Sequence, residues 1–235
     1  MTHSAHPFLS ARSSQAPSLY EPDPNMTSVV SYPVRCSEWG SARYRGNCDG
    51  TLFKDLVLRY GPRRIADPML GSGTTRDVVH GLLEQSHAQV LEFFGADLQG
   101  GFDLQRDALP GSYDFIWVHP PYWNIVRYSD DPRDLSTIDD YGKFVEALQV
   151  CLARCACALR PGGRLAVLVA DVRRAGKLYP LGRDVLRMEF LGELASVIVK
   201  HQHNCRSDAK QYGHMVEVPI KHEYCCIFRS PSTRG

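Results

Sequence analysis

Two periodicities alternate along this chain from Ser28 onward. Short runs of β-branched and other apolar residues, the mark of buried strands, are separated by amphipathic stretches whose apolar positions recur every three or four residues, the mark of helices lying on a sheet. The pattern predicts a helix from about Gly50 to Tyr60, a strand Arg64–Asp67, a helix from about Thr74 to Gln85, a strand near Gln89–Asp97, a third element near Phe102 and a strand Tyr113–Val118. A long helix from about Tyr141 to Leu159 follows, closed by the turn Pro161-Gly162-Gly163 ahead of a strand Arg164–Ala170. The last third adds a helix near Leu181–Leu191, a strand near Leu194–Lys200, a polar loop and a final strand near Lys221–Arg229. Strands and helices in alternation specify an α/β fold, with a sheet of about six or seven strands and helices on both faces.

Composition refines this picture at the ends of the chain. Residues 1–27 are rich in Ser, Pro, His and Ala without a sustained apolar period, which predicts a disordered tail. Residues 28–235 then form one domain, because 235 residues suffice for one sizeable core and fall short of two. The formal net charge is +1, so binding to a polyanion would have to come from a local basic face. Eight cysteines at irregular spacing, three of them (Cys151, Cys155, Cys157) in one helical stretch, read as packing residues in a reducing cytoplasm. The longest apolar run is far below the roughly 18 residues of a membrane span, so a cytoplasmic protein without a membrane partner is expected. His201, His203 and Cys205 alternate near a strand end but lack an evident fourth ligand, and no metal site is expected.

Two segments carry chemistry. Asp67-Pro68-Met69-Leu70-Gly71-Ser72-Gly73-Thr74-Thr75 lies where a buried strand turns into a helix, a place where glycines let a ligand approach the backbone and the helix N-terminus. It lacks the third glycine of a dinucleotide fold and the Gly-Lys-Ser/Thr of a nucleoside triphosphatase. Ligands of open α/β sheets bind at the carboxyl ends of strands, so Asp67, Asp97 and His119 should converge on one crevice, with Asp97 placed to accept from ribose hydroxyls. The second segment, His119-Pro120-Pro121-Tyr122 followed by Trp123, ends a strand with a rigid backbone, the Pro120 carbonyl aimed into the crevice and the flat ring of Tyr122 beside it. Acceptors for both amino protons beside a stacking ring suit a planar, amino-bearing base lifted out of its duplex. Cytosine C5 chemistry is disfavoured, since no cysteine directly follows a proline.

In these two segments the chain resembles the amino-methylating DNA methyltransferases, in which similar motifs bind S-adenosylmethionine and hold the target base. The resemblance covers about Ser28 to Arg229 and includes Tyr44-Arg45-Gly46-Asn47 and His222-Glu223-Tyr224. It implies a Rossmann-like class I methyltransferase sheet. It also implies that Asn47, Asp67, Pro68, Gly71, Gly73, Thr74, Thr75 and Asp97 contact the cofactor and that His119, Pro120, Pro121 and Tyr122 act on the target amino group, without a covalent intermediate.

The chain departs from the family at His119, where Asp, Asn or Ser is usual; the absent carboxylate tilts the target towards cytosine N4 over adenine N6. About 44 residues separate the two motifs, and no stretch remains for a separate recognition domain. Nucleic-acid contacts are therefore expected from Trp123, Arg127, Tyr128 and Arg133 in one loop and Arg206, Lys210 and Tyr212 in another, with DNA, single- or double-stranded, as partner. Asp171, Arg173 and Arg174, after the strand ending at Ala170, fall on the crevice side and read equally as substrate-facing or simply exposed. A homodimer, an accompanying restriction enzyme, an RNA substrate and a non-catalytic cofactor-binding role all stay open at this stage.

Overall fold

In the strand Tyr113–Val118 (β4), Phe115 and Trp117 face one side of the sheet and Ile116 and Val118 the other, so both faces demand cover. In the computed structural model, which describes residues 20–85, 87–203 and 216–232, the two faces are covered by different helices. Phe115 and Trp117 pack beneath α1 (Thr51–Tyr60) and α2 (Thr74–Glu84) with Leu52, Phe53, Leu56, Val78 and Leu82, and the Trp117 and Phe53 rings meet edge to face at 5.6 Å. Ile116 and Val118 face α3 (Tyr141–Cys157) and α4 (Leu181–Leu186), meeting Phe144, Leu148, Leu152 and Val185. Each such side chain taken fully out of water contributes about 1.5–3 kcal/mol.

The other strands are β1 (Val29–Ser31), β2 (Arg64–Asp67), β3 (Glu92–Gly95), β5 (Leu159–Val169), β8 (Glu193–His201) and β9 (His222–Arg229). With β4 they form a seven-stranded sheet in the order β1-β8-β9-β5-β4-β2-β3, in which β9 runs antiparallel to β5 and β8 and the remaining pairings are parallel. A separate hairpin, β6 (Val172–Arg174) with β7 (Lys177–Tyr179), follows β5. The α/β class, the strand number and the helices on both faces are as the pattern predicted.

Five local expectations change. The element near Phe102 is not a strand: Phe102 N donates to the Asp97 carbonyl (3.0 Å) and Arg106 N to the Asp103 carbonyl (2.8 Å), so the backbone closes on itself in turns. The seventh strand is β1, which the pattern did not predict. Pro161-Gly162-Gly163 lies inside β5, where the pairing with β4 shifts register, rather than ahead of it. The helix expected over Leu181–Leu191 stops at Leu186 and resumes as one 3-10 turn, Glu189–Leu191. At the N-terminus, residues 20–27 were expected to belong to a disordered tail, yet Tyr20 and Met26 pack against the α1/α2 core and Lys54 Nζ donates to the Glu21 carbonyl (2.8 Å). Residues 1–19 lie outside the described part.

Candidate active site

The carboxyl ends of β2, β3 and β4 open onto one crevice of about 900 Å³, counted out to the solvent, and its walls bring the two chemical segments together. One wall is the turn after β2, with Pro68, Met69, Leu70, Gly71 and Ser72; Asp97, Leu98 and Phe102 follow β3; His119, Pro120 and Pro121 follow β4. Gly71 has φ +52°, and a Cβ there would come within 3.2 Å of the Tyr44 ring, so both its backbone and the ring above it require glycine.

Asp67 stands behind this turn rather than on the crevice wall. It is 3% exposed, its Oδ1 accepts from Met69 N (3.1 Å) and its Oδ2 from Thr75 Oγ1 (2.5 Å). Burial pushes its carboxyl up to about 7, against the pull of those two hydrogen bonds. Thr74 is spent in a similar way: its hydroxyl donates to Asn47 Oδ1 (2.5 Å), and Asn47 Nδ2 donates to the Ser41 carbonyl (3.0 Å). Of the eight expected cofactor contacts, Asn47, Pro68, Gly71 and Asp97 line the crevice, whereas Asp67, Gly73, Thr74 and Thr75 support it from beneath. Asp97 Oδ1 accepts from Gly100 N (2.8 Å), which orients the carboxylate.

At the other wall, His119 is drawn into a chain of side chains. Tyr122 is not among the crevice-lining residues; its hydroxyl lies 2.9 Å from His119 Nε2 and donates to Glu223 Oε1 (2.6 Å), while Lys200 Nζ donates to Glu223 Oε2 (2.8 Å). Burial lowers the His119 imidazole to about 4, with Lys200 adding to that and Glu223 opposing it. Burial also acts to raise Glu223, but Lys200, His119 and the hydrogen bonds from Lys200 and Tyr122 outweigh it and hold the carboxyl below its usual value. The Tyr122 hydroxyl thus ties His119 to Glu223, while its half-buried ring packs against the core cluster under α3 and α4. Tyr44 and Tyr128 put a ring pair on the crevice, stacked at 5.6 Å with 23° between their planes, and Phe102 lines it as well.

The expected nucleic-acid contacts divide. Trp123 is 4% exposed, adopts φ +55°, donates Nε1–H to the Ile138 carbonyl (2.9 Å) and packs with Tyr141 and Tyr179, so it is a core residue and not a surface contact. Arg127 is exposed and paired with Asp130, Tyr128 lines the crevice, and Arg133 sits at its rim paired with Asp131 (2.6 Å). Arg206, Lys210 and Tyr212 lie outside the described residues. The hairpin of β6 and β7 gives Arg174 a place and adds Lys177, which the pattern did not single out. Its turn Ala175-Gly176 has positive φ at both residues, as a two-residue hairpin turn requires, and it exposes both cations. Arg174 lies over the Trp123 ring and donates to Asn124 Oδ1 (2.9 Å), which docks the hairpin beside the His-Pro-Pro-Tyr loop.

Cys151 and Cys155 are buried in the α3 face of the core, and burial raises both thiols. Among the described residues no cluster of three His, Cys, Asp or Glu side chains is placed to hold a metal, and no helix is long and apolar enough to cross a membrane.

Neither a protein-family model nor a curated protein sequence matches the chain. Solved structures do. A candidate DNA modification methylase from Thermus thermophilus, complexed with S-adenosyl-L-methionine, is 27% identical over 56% of this chain and 53% of its own, with TM-score 0.40. A candidate class I S-adenosylmethionine-dependent methyltransferase from Listeria monocytogenes is 14% identical over 79% and 59%, with TM-score 0.45. The N-methyltransferase NodS from Bradyrhizobium japonicum WM9, complexed with S-adenosyl-l-homocysteine, is 11% identical over 75% and 84%, with TM-score 0.41. The chain spans about half the length of the Thermus protein. At these scores the likeness is one of general architecture.

Proposed function

We propose that this protein is a methyltransferase that uses S-adenosylmethionine to methylate an exocyclic amino nitrogen of a base in DNA, cytosine N4 ahead of adenine N6. The observation that carries the reading is that the glycine turn and His119-Pro120-Pro121 face each other across a single crevice.

The crevice fits the cofactor by the chemistry of its walls. Leu98 and Phe102 supply apolar surface for a purine beside the Asp97 carboxylate, an acceptor for ribose hydroxyls, while Gly71 and Asn47 leave the turn open to close approach. Bound there, the cofactor would supply a methyl group activated on a positively charged sulfur. The chain's own residues prepare the acceptor. An exocyclic amino group is a poor nucleophile because its lone pair is conjugated with the ring. Hydrogen bonds from its two protons to the Pro120 carbonyl and to His119 draw the nitrogen towards a tetrahedral, reactive state. A base can reach these groups only outside the stack. Arg127, Arg133, Arg174 and Lys177 are the local basic groups suited to phosphates, since the chain as a whole carries almost no net charge.

The test is to incubate the protein with S-adenosylmethionine and mixed-sequence DNA or RNA, digest to nucleosides and identify the product by mass spectrometry. N4-methylcytosine from DNA is the expected outcome. N6-methyladenine would move the target base, product from RNA alone would move the substrate, and binding of the cofactor without product from either polymer would overturn the catalytic reading.

A further inference from the structure

An imidazole at position 119 can offer the crevice either an N–H donor or a bare nitrogen acceptor, and only the second helps an amino group react. The side chains behind it decide between them. Lys200 on β8 and Glu223 on β9 are direct cross-strand partners in the sheet register, each 8% exposed, with Nζ and Oε2 2.8 Å apart. A carboxylate paired with an ammonium only accepts, so the single hydroxyl proton of Tyr122 goes to Glu223 Oε1. The Tyr122 oxygen, 2.9 Å from His119 Nε2, is left as an acceptor, and Nε2 must carry the imidazole proton. A neutral ring then has its lone pair on Nδ1. That atom makes no hydrogen bond among the described residues, and it is absent from the buried atoms lacking a partner, so it is open to the crevice that His119 lines.

We infer that Lys200 and Glu223, acting through Tyr122, are positioning residues that hold His119 as its Nε2–H tautomer and make Nδ1 a fixed hydrogen-bond acceptor for the target amino group. The inference deepens, and rests on, the amino-methyltransferase reading for the identity of that target. It also explains how a histidine stands where the resembling family uses Asp, Asn or Ser: the relay gives the ring the acceptor that those side chains carry by constitution. Other titratable groups near the relay are Cys48 and Asp49 from the segment before α1, Tyr128 from the loop after β4, and Cys225 on β9, whose thiol burial raises well above its usual value. Burial raises Cys48 to about 12, which leaves it an uncharged thiol at neutral pH, and Lys200 and Glu223 remain an ion pair. The low imidazole value keeps His119 neutral across the same range.

The decisive measurement needs neither cofactor nor DNA. Long-range proton–nitrogen correlation spectra of the 15N-histidine protein distinguish the two neutral tautomers of His119. A single Nε2–H form from pH 6 to pH 8 is expected; an Nδ1–H form or a mixture would overturn the inference, whatever the outcome of the methylation assay. In Glu223→Gln the new amide donates to the Tyr122 oxygen, freeing the hydroxyl proton to point at Nε2, and the ring should switch to Nδ1–H. In Tyr122→Phe the acceptor is gone and the tautomers should mix. Should neither variant fold, the wild-type spectrum alone decides. In the methylation assay Glu223→Gln should lower kcat roughly 10- to 100-fold, the scale of one charge-linked hydrogen bond. The same substitution in a His119→Asn background should change kcat by less than about threefold, because an amide oxygen accepts without help from the relay. Equal losses in both backgrounds would make Glu223 merely structural and refute its positioning role.

Discussion

Asp67 and Glu223 are both buried carboxylates behind the same crevice, and their surroundings drive them in opposite directions. Asp67 is held by two uncharged donors, the Thr75 hydroxyl and the Met69 amide, and burial dominates, pushing it up to about 7. Glu223 is nearly as buried, yet a lysine on the neighbouring strand and a tyrosine hydroxyl overcome the burial and keep it ionised. The contrast teaches that depth alone does not set the charge of a carboxylate; the charge of its donors does. The glycine-turn wall thus rests on a group that titrates near 7, and the His119 wall rests on a fixed ion pair.

The strongest way to break this contrast is Lys200→Met. It leaves an ionised carboxylate buried without its partner and should cost about 3–5 kcal/mol in urea denaturation at neutral pH, much of it recovered when Glu223 is also made apolar. A loss below about 1 kcal/mol would mean that Glu223 does not depend on Lys200 for its charge.

A smaller effect sharpens the other side. The folded-state value of Asp67 lies above its unfolded value, so its contribution to stability is fully present below about pH 4 and is lost as the pH rises through 7. His119 has the opposite sign: its folded-state value is depressed, and its contribution is present above about 6.5 and lost as the pH falls through 4. The two oppose each other in the wild type over the middle of that range. Comparing wild type with Asp67→Asn isolates the carboxyl, and the wild type should lose on the order of 1–3 kcal/mol relative to the variant between pH 4 and pH 7. A pH-independent difference would show that Asp67 is ionised throughout.

The smallest effect concerns the ring pair between the walls. Tyr128→Ala removes the partner stacked on Tyr44 and should cost about 0.5–1.5 kcal/mol beyond the lost burial. It should weaken cofactor binding, measured by calorimetry, less than Gly71→Val does, because the glycine turn itself is untouched.

The two walls were also unequally legible in the sequence. The turn after β2 is local: Asp67 and Thr75 lie eight residues apart, and the glycines between them are enough to announce a ligand-approach site. Even so, which of its residues line the crevice and which brace it could not be read, because that depends on where Asp67 points after the turn has closed. Trp123 hides its place for a similar reason: an aromatic residue after two prolines suggests a stacking surface, and only the fold shows that Tyr141 and Tyr179 pack against it. On the His119 wall, Lys200 and Glu223 left a weaker trace, each a charge towards one end of a strand whose middle is apolar. Such a pair can be recognised only when the register of β8 against β9 is known, and register is a property of the assembled sheet. The missing strand at Phe102 and the extra strand β1 reflect the same limit, since three residues are too few to show a period.

That difference in reach has a kinetic side. The brace beneath the glycine turn needs only one strand and the helix that follows it, and it can form early. β9 lies between β5 and β8, so β8, and with it β1, joins the rest of the sheet only when β9 inserts. Contacts between segments so far apart in the chain are made slowly. Glu223 arrives on that inserting strand and must reach Tyr122, 101 residues earlier in the chain, so the hydrogen bond behind His119 is among the last features to assemble. During synthesis or refolding, the brace of the glycine turn should be in place before the support of His119 is.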